Sequence, residues 1–303
     1  MLNKSTTHNQ LMLFHCIVQE GSIRGAARKL SLAAPSVSQS LKLLEQNLGL
    51  SLFTRTTRHL ELTQAGQQLY DKTLPAIKTL ESALDEVTSL GNAPSGKVKI
   101  TLPRFVYQLF FRHIFAEFCQ LYPQIELEIS ISDATVNIIK DGIDVGIRFG
   151  DRIEPTMVAK RLTPNMSDAL FASAGYIEQH GMPNSIEALQ HHKLIHYRFI
   201  ASNMLAQLNL QEQGQPVAVN MPTALIVNDT DLMVEAAKQG VGIGRLVQPV
   251  VASAFEQGTL LPVLPEHWIE QPGLFLYFAQ HSQKAKRVRV LIDFIEQRKV
   301  LHW

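Results

Sequence analysis

The segment 22–48 leaves the chain one local solution, two short helices separated by a break of a few residues. Ser22 is suited to cap the first, since a serine oxygen satisfies an otherwise unpaired amide of the opening turn. Ala26, Ala27 and Leu30 then form a small-residue face at helical spacing, so that another helix can approach closely. The break falls around 31–34, and Pro35 fits the first turn of a new helix, where its missing N–H is not needed. In that second helix Val37, Leu41, Leu44 and Leu48 recur at four, three and four residues and make a stripe to be buried. The other face carries Ser36, Gln39, Ser40 and Leu43, with no acidic residue in the first two turns. Such a neutral, hydrogen-bonding face suits a DNA major groove. An αα-hairpin with a solvated polar face is the competing arrangement.

The residues that follow favour DNA. Gly49 ends the helix, 50–53 is a short apolar run, Thr54-Arg55-Thr56-Thr57-Arg58 is a basic turn, and His59-Leu60-Glu61-Leu62 alternates like a returning strand. A hairpin tip with two arginines beside a recognition helix is what a wing needs to grip phosphates or a minor groove. Up to Leu60 there are seven basic side chains (Lys4, Arg24, Arg28, Lys29, Lys42, Arg55, Arg58) against two acidic (Glu20, Glu45), a balance of +5. The chain as a whole has 28 basic and 27 acidic residues, which leaves −4 for the remainder. Positive charge is thus concentrated where the helix and hairpin lie, the electrostatic footprint of a DNA-binding domain.

Residues 9–66 resemble the winged helix-turn-helix of LysR-type transcriptional regulators. The resemblance is carried, in order, by Gln19-Glu20-Gly21-Ser22, Ala26-Ala27, Leu44-Glu45, Leu48-Gly49, Leu52-Phe53-Thr54-Arg55 and Leu62-Thr63-Gln64-Ala65-Gly66. One departure stands out. Family members usually open the recognition helix with serine and a polar partner and place arginine or histidine near position 39, whereas this chain has Ala33, Ala34 and Gln39. On this reading Ser36, Gln39 and Ser40 face DNA from the helix, and Arg55 and Arg58 from the wing.

A chain of 303 residues is too long for a winged helix alone and implies two or three domains. Residues 1–10 are polar, and the apolar stretch after them is interrupted by His15, Gln19 and Glu20. Neither a secretory signal nor a membrane span is therefore expected, and the cytoplasm is the expected location. Cys16 and Cys119 lie far apart with no CxxC pattern, so two buried thiols are expected rather than a disulfide framework or zinc site. Thr7 and Gln10 have capping-box spacing ahead of Leu11, Phe14, Ile17 and Val18, which predicts a first amphipathic helix. Residues 63–90 read as one long helix, capped at Thr63, bent or interrupted at Pro75 and stopped by Gly91-Asn92-Ala93-Pro94-Ser95-Gly96. Ile77, Leu80, Leu84 and Val87 give it the narrow seam of a two-helix coil. The resemblance likewise implies dimerisation through this helix, as a homodimer or homotetramer, with paired recognition helices on an inverted repeat of double-stranded DNA.

Beyond the hinge the texture becomes α/β. A strand at 97–102, a helix at 105–122, a strand at 125–132, a short helix near 136–140 and a strand at 144–149 predict a mainly parallel sheet covered on both faces. The pattern continues with strands at 168–173, 193–197, 217–220, 225–228, 241–246 and 274–279. Helices follow the first of these to His180, span 230–239, and close the chain at 284–298. Two such lobes resemble the effector domain of LysR regulators, itself similar to periplasmic solute-binding proteins. Its carriers are Ser95-Gly96-Lys97-Val98-Lys99-Ile100, Tyr122-Pro123-Gln124-Ile125, Asp141-Gly142-Ile143-Asp144-Val145-Gly146-Ile147-Arg148 and Gly240-Val241-Gly242-Ile243-Gly244. The expected division is a DNA-binding domain at 1–62, a linker helix at 63–92 and an effector domain at 93–303. Lobe I of the latter holds 93–163 and 267–303, and lobe II holds 164–266.

Ligands of open α/β lobes sit beyond the carboxyl ends of the strands, near helix N-termini. The strand exits here bear Pro103, Arg104 and Phe105; Asp133; Arg148 and Phe149; Tyr197 and Arg198; and Asn228. Three arginines at these exits favour a small carboxylate or polar metabolite, the alternative for each being an ion pair with Asp133, Asp151 or Glu154. Asp229 reads as a helix cap, 240–244 as a turn, and His191-His192 as a solvated loop. No GxSxG, HExxH or Walker motif occurs, so no catalytic residues, metal or cofactor are expected. A transcriptional regulator controlled by a small effector is the function implied, with RNA polymerase a candidate further partner. A solute-binding protein without a transcriptional role is the alternative, although it would have no use for a basic wing.

Overall fold

Glycines in the left-handed region punctuate the first helices: Gly21 (φ +64°) follows the first and Gly49 (φ +69°) caps the third. The computed structural model describes residues 4–55, 60–88, 93–134 and 136–298. The chain divides by its packing into two units, 1–87 and 88–303.

The first unit holds α1 (Lys4–Glu20), α2 (Ile23–Lys29), α3 (Ala34–Leu48), the hairpin β1 (Phe53–Arg55) and β2 (Leu60–Leu62), and most of α4 (Gln64–Thr88). Ser22 caps α2 through its hydroxyl, which accepts from the Gly25 amide at 3.0 Å, and Pro35 occupies the first turn of α3. Val37, Leu41 and Leu44 are buried as their spacing predicts, but Leu48 is exposed because it reaches the last turn beyond the packed helices. The capping box at Thr7 is also corrected, since α1 begins at Lys4 and Thr7 lies inside it. Thr63 caps α4, with its Oγ1 accepting from the Gly66 amide at 3.0 Å, and α4 runs unbroken through Pro75. A Cβ on Gly66 would collide with the Leu52 carbonyl oxygen, so the start of α4 is pressed against the base of the wing.

His15 locks α1 to α4. It is buried, stacks on Tyr70 with centroids 4.7 Å apart, and its Nε2 lies 2.6 Å from Thr73 Oγ1. Thr73 donates its own proton to the Leu69 carbonyl at 2.6 Å. Nε2 must therefore carry the histidine proton, which leaves Nδ1 bare and without a partner among the described residues.

The second unit opens with β3 (Gly96–Leu102), α5 (Arg104–Leu109), α6 (Phe115–Leu121), β4 (Ile125–Ile131), β5 (Val145–Phe149) and β6 (Val158–Arg161). There follow β7 (Met166–Ala172), α7 (Ala174–His180), β8 (Leu194–Tyr197), β9 (Leu208–Glu212), β10 (Gln215–Val219) and β11 (Thr223–Val227). The chain continues through α8 (Thr230–Lys238), β12 (Gly244–Val247), α9 (Gln248–Glu256), β13 (Leu261–Val263), β14 (Ile269–Gln271), β15 (Leu274–Phe278) and α10 (Lys286–Arg298). Lobe I is a five-stranded sheet in the order β4-β3-β5-β15-β6, and lobe II is built on β7. β12 pairs one edge of β7, β13 and β14 the other, and β8 joins through the Leu194–Ile243 bridge.

Several expectations are revised. The sheets are mixed rather than mainly parallel: β3 runs parallel to β4 and β5, but β15 returns antiparallel to β5 and β6. The helix predicted at 105–122 is two helices joined by a 3-10 turn at Phe111–His113. Phe110, Phe111 and Ile114, at and around that turn, are all fully buried. No helix forms near 136–140; Asn137 Oδ1 accepts from the Lys140 amide and closes a turn instead. Gly96, expected in the hinge, already pairs within β3, and β6, β9, α9, β13 and β14 add elements that the local sequence pattern does not announce. β14 pairs with β7, so the second sheet extends past 267. His192 is buried beside Tyr176 rather than solvated.

The chain passes between lobes twice, at 162–165 and 272–273, and the passages touch. The Leu274 amide donates to Thr163 Oγ1 at 2.8 Å, and the Leu162 amide to the Leu274 carbonyl at 2.8 Å. Gly273 is required there, because a Cβ would overlap the carbonyl oxygens of Thr163 and Pro164.

Two outcomes follow. Burial lowers the His15 pKa from 6.5 to about 4. Between those values the unfolded chain binds the additional proton and the native protein does not, so stability falls as pH drops from 6.5 toward 4, by about 2–3 kcal/mol at full extent. Urea denaturation across this range should show that loss in the parent and a flatter profile in His15→Gln. Gly273→Ala should lower the unfolding free energy by about 1–3 kcal/mol, because two backbone carbonyls must move; an unchanged denaturation midpoint would show that the crossing relaxes.

Candidate functional site

The first unit presents a polar helix face beside a pinned hairpin. Ser36 and Gln39 are exposed on α3 and Ser40 is half-buried, and the first turn of α3 has no acidic residue. The wing is tied down at its base, where Glu45 of α3 accepts from the Leu52 amide at 2.7 Å and Thr63 donates to the Ser51 carbonyl at 2.7 Å. That bond engages the one carboxylate that α3 carries. Arg55 ends β1, its backbone opposite Leu60, and Arg58 lies outside the described residues. A depression between α2 and α3 is lined by Arg24, Arg28 and Ser31, which were not assigned from sequence although the arginines stand four residues apart on one helix side. Lys29 is engaged elsewhere, 2.9 Å from Glu20. On α4, Ile77 is half-buried, while Leu80, Leu84 and Val87 are 42%, 62% and 67% exposed.

In the second unit a cavity of about 190 Å³ lies between the lobes. It brings together six of the predicted residues, Pro103, Phe105, Asp133, Arg148, Phe149 and Tyr197. Arg148, on β5, is 5% exposed. Its Nη1 donates to the Ile147 carbonyl at 2.8 Å, and its Nη2 to those of Ser132 and Ala134 at 2.9 and 3.1 Å. Its Nε has no partner among the described residues. Burial holds the Arg148 pKa below its ordinary value, against the opposing influence of Tyr277 and Asp133. Asp133 accepts from the Arg104 amide at 3.0 Å and fixes the start of α5; burial raises its pKa although that bond and Arg148 oppose it. The Tyr197 phenol is pushed up to about 12 by burial and by Asp133 and Asp229, and stays a proton donor. Phe105 and Phe149 stack with centroids 5.6 Å apart.

The other three predicted residues lie outside the cavity lining. Arg104 turns to lobe II, its Nε 3.2 Å from Asp229, while Gln108 donates to Asp231 at 2.9 Å. Arg198 holds its own loop, donating to the Asn203 carbonyl at 2.7 Å, and Asn228 precedes the Asp229 cap, whose Oδ1 accepts from the Leu232 amide at 3.0 Å. Lobe II contributes residues that sequence reasoning missed. Asp168 and Arg245, 3.5 Å apart, lie on the paired strands β7 and β12, and Thr230 opens α8 with a buried hydroxyl lacking any partner among the described residues. Burial raises the Asp168 pKa against the charge of Arg245 and a hydrogen bond from Gln271. At the mouth, Arg152 of lobe I lies over the Phe199 ring of lobe II at 5.3 Å.

Residues 8–67 match the family model for the bacterial regulatory helix-turn-helix protein of the lysR family, and residues 91–299 match that for the LysR substrate binding domain. The chain is 29% identical over 283 residues to the HTH-type transcriptional regulator PgrR of Escherichia coli (strain K12), covering 93% of this chain and 95% of that protein. Its fold is similar to that of CrgA, a LysR-type transcriptional regulator from Neisseria meningitidis (TM-score 0.60, 25% identity, 96% and 98% covered). The same holds for ArgP from Mycobacterium tuberculosis (TM-score 0.70, 18% identity, 97% of each covered). With matches to both models spanning most of its length, the chain belongs to the LysR family of bacterial transcriptional regulators, with an N-terminal helix-turn-helix and a two-lobed effector-binding domain.

Proposed function

We propose that this regulator binds an inverted-repeat DNA site as an oligomer and answers to a small carboxylate or polar metabolite held between the lobes. The observation that carries the DNA reading is the exposed, acid-free face of α3 beside a hairpin whose base is held by Glu45. Ser36 and Gln39 read base edges, Ser40 meets a phosphate, and Arg55 and Arg58 hold the backbone from the wing. The functional division is a DNA-binding domain at 1–62, a linker helix at 63–92 and an effector domain from 93 onward. α4 pairs with a second copy through Ile77, Leu80, Leu84 and Val87, and effector domains pair in turn to give a tetramer. No helix among the described residues is long and apolar enough to cross a membrane, which accords with action in the cytoplasm. The protein works by binding rather than catalysis, and RNA polymerase is the partner it would address from a promoter.

The effector reading rests on the cavity lined by Phe105, Asp133, Arg148, Phe149 and Tyr197. Pro103 completes its wall, and Arg104, Arg198 and Asn228 act behind the ligand rather than on it. A ligand that prefers the closed lobes shifts the equilibrium only by its difference in affinity for the two states, about 1–3 kcal/mol in typical cases.

Gel retardation against the protein's own promoter should show binding that weakens with salt. Gln39→Ala should cost about 1–3 kcal/mol at the preferred site and little on unrelated DNA; equal loss on all sequences would remove Gln39 from base reading. Leu80→Asp with Leu84→Asp places charge in an apolar seam and should reduce the oligomer measured by light scattering. An unchanged mass would remove this face of α4 from the interface.

A further inference from the structure

We infer that the effector is a monoanion with a flat apolar body, its carboxylate taken by Arg148 and Thr230 from opposite lobes and its ring set against Phe105 and Phe149. This rests on the reading of the interlobe cavity as the effector site.

Charge fixes the ligand's valence. Three arginines line the cavity (Arg148, Arg152, Arg245) against two aspartates (Asp133, Asp168). Arg245 faces Asp168 at 3.5 Å, and Arg152 lies 3.4 Å from Asp151 with its guanidinium over Phe199. Among the described residues Arg148 is left as the lining cation with no carboxylate at ion-pair distance, held by three carbonyls and the Thr101 hydroxyl, and a buried guanidinium balanced only from a distance by Asp133 is costly. A single negative charge relieves that cost. A second one on the ligand would face Asp133, which is itself half-buried.

Unspent donors fix the ligand's head group. Arg148 and Thr230 are both more than nine-tenths buried and both line the cavity, and neither Arg148 Nε nor Thr230 Oγ1 has a partner among the described residues. Buried polar atoms are nearly always paired, so two orphans across one cavity mark the place of a missing acceptor. Tyr197, which also lines the cavity, adds a third donor through its phenol. An oxyanion with two oxygens satisfies such a set.

The walls fix the body. Phe105, Phe149, Tyr197 and Phe199, with Leu246 and Val247, offer ring faces and aliphatic surface and few further polar groups. The cavity, about 190 Å³, is smaller than the ~300–1,000 Å³ of pockets that hold drug-sized molecules, which limits the body to about one ring.

Calorimetric titration of the full-length protein with benzoate, 2-furoate, succinate, inorganic phosphate and glycine tests this, alongside Thr230→Val and Arg148→Gln. Saturable binding of benzoate or 2-furoate is expected, about tenfold or more tighter than that of succinate, phosphate or glycine. Thr230→Val, close to isosteric, should weaken it about tenfold by removing a hydrogen bond to a charged group. If succinate, phosphate or glycine binds as well or better and loses affinity in both variants, the ligand class is overturned while the cavity remains the effector site. If benzoate binds parent and both variants alike, it sits elsewhere and the cavity assignment falls too. No saturable binding of either flat monocarboxylate overturns the class outright.

Discussion

The buried guanidinium of Arg148 is the interaction on which the effector half depends. It reaches from the end of β5 to carbonyls just past the end of β4, and its Nη2 lies 3.4 Å from Thr101 near the end of β3. The exits of β3, β4 and β5 are thereby drawn around one cation, through carbonyls at β4 and β5 and the Thr101 hydroxyl at β3. The residues lining the lobe I side of the cavity, Pro103, Asp133 and Phe149, hang from those same exits. Their placement is consequently set before any ligand arrives, which reduces the ordering cost of binding. The price is a charge taken out of water, and Asp133 offsets it only from a distance.

A comparable economy holds in the DNA-binding half. Glu45 receives the Leu52 amide and Thr63 the Gly66 amide, while the Leu52 carbonyl accepts from the Thr63 amide at 3.0 Å. The chain between α3 and α4 is therefore held at both ends by hydrogen bonds to its own helices. Gly66 permits this approach because no side chain stands between α4 and the Leu52 carbonyl. The hairpin leaves a fixed base, and the recognition face keeps a constant relation to it.

The elements marked by local chemistry were legible in the sequence. Ser22, Thr63 and Asp229 cap the helices their positions announced, Pro35 and Gly49 bracket α3, and the β-branched run of β3 forms its strand. What escaped was set by contacts distant in the chain. Phe110 and Phe111 fit a helical pattern, yet the helix is interrupted where both enter the lobe I core. Arg104 and Arg198 stand at strand exits as expected, yet acids and carbonyls of their neighbours claim their side chains. Asp168 and Arg245 meet solely because β7 and β12 pair antiparallel, and no local spacing announces that pairing. Thr230 has the sequence look of an ordinary first-turn residue, and only the folded lobe shows its hydroxyl buried without a partner among the described residues.

Gly273 gives the two-lobed half a property that its side chains do not. Both covalent passages between the lobes run through one crossing, close enough that the carbonyls of Thr163 and Pro164 fill the space a Cβ would need. Any change of angle between the lobes must therefore be taken up by the backbone at 162–165 and 272–273. Substitutions at that crossing would act on lobe geometry without replacing any residue that lines the cavity.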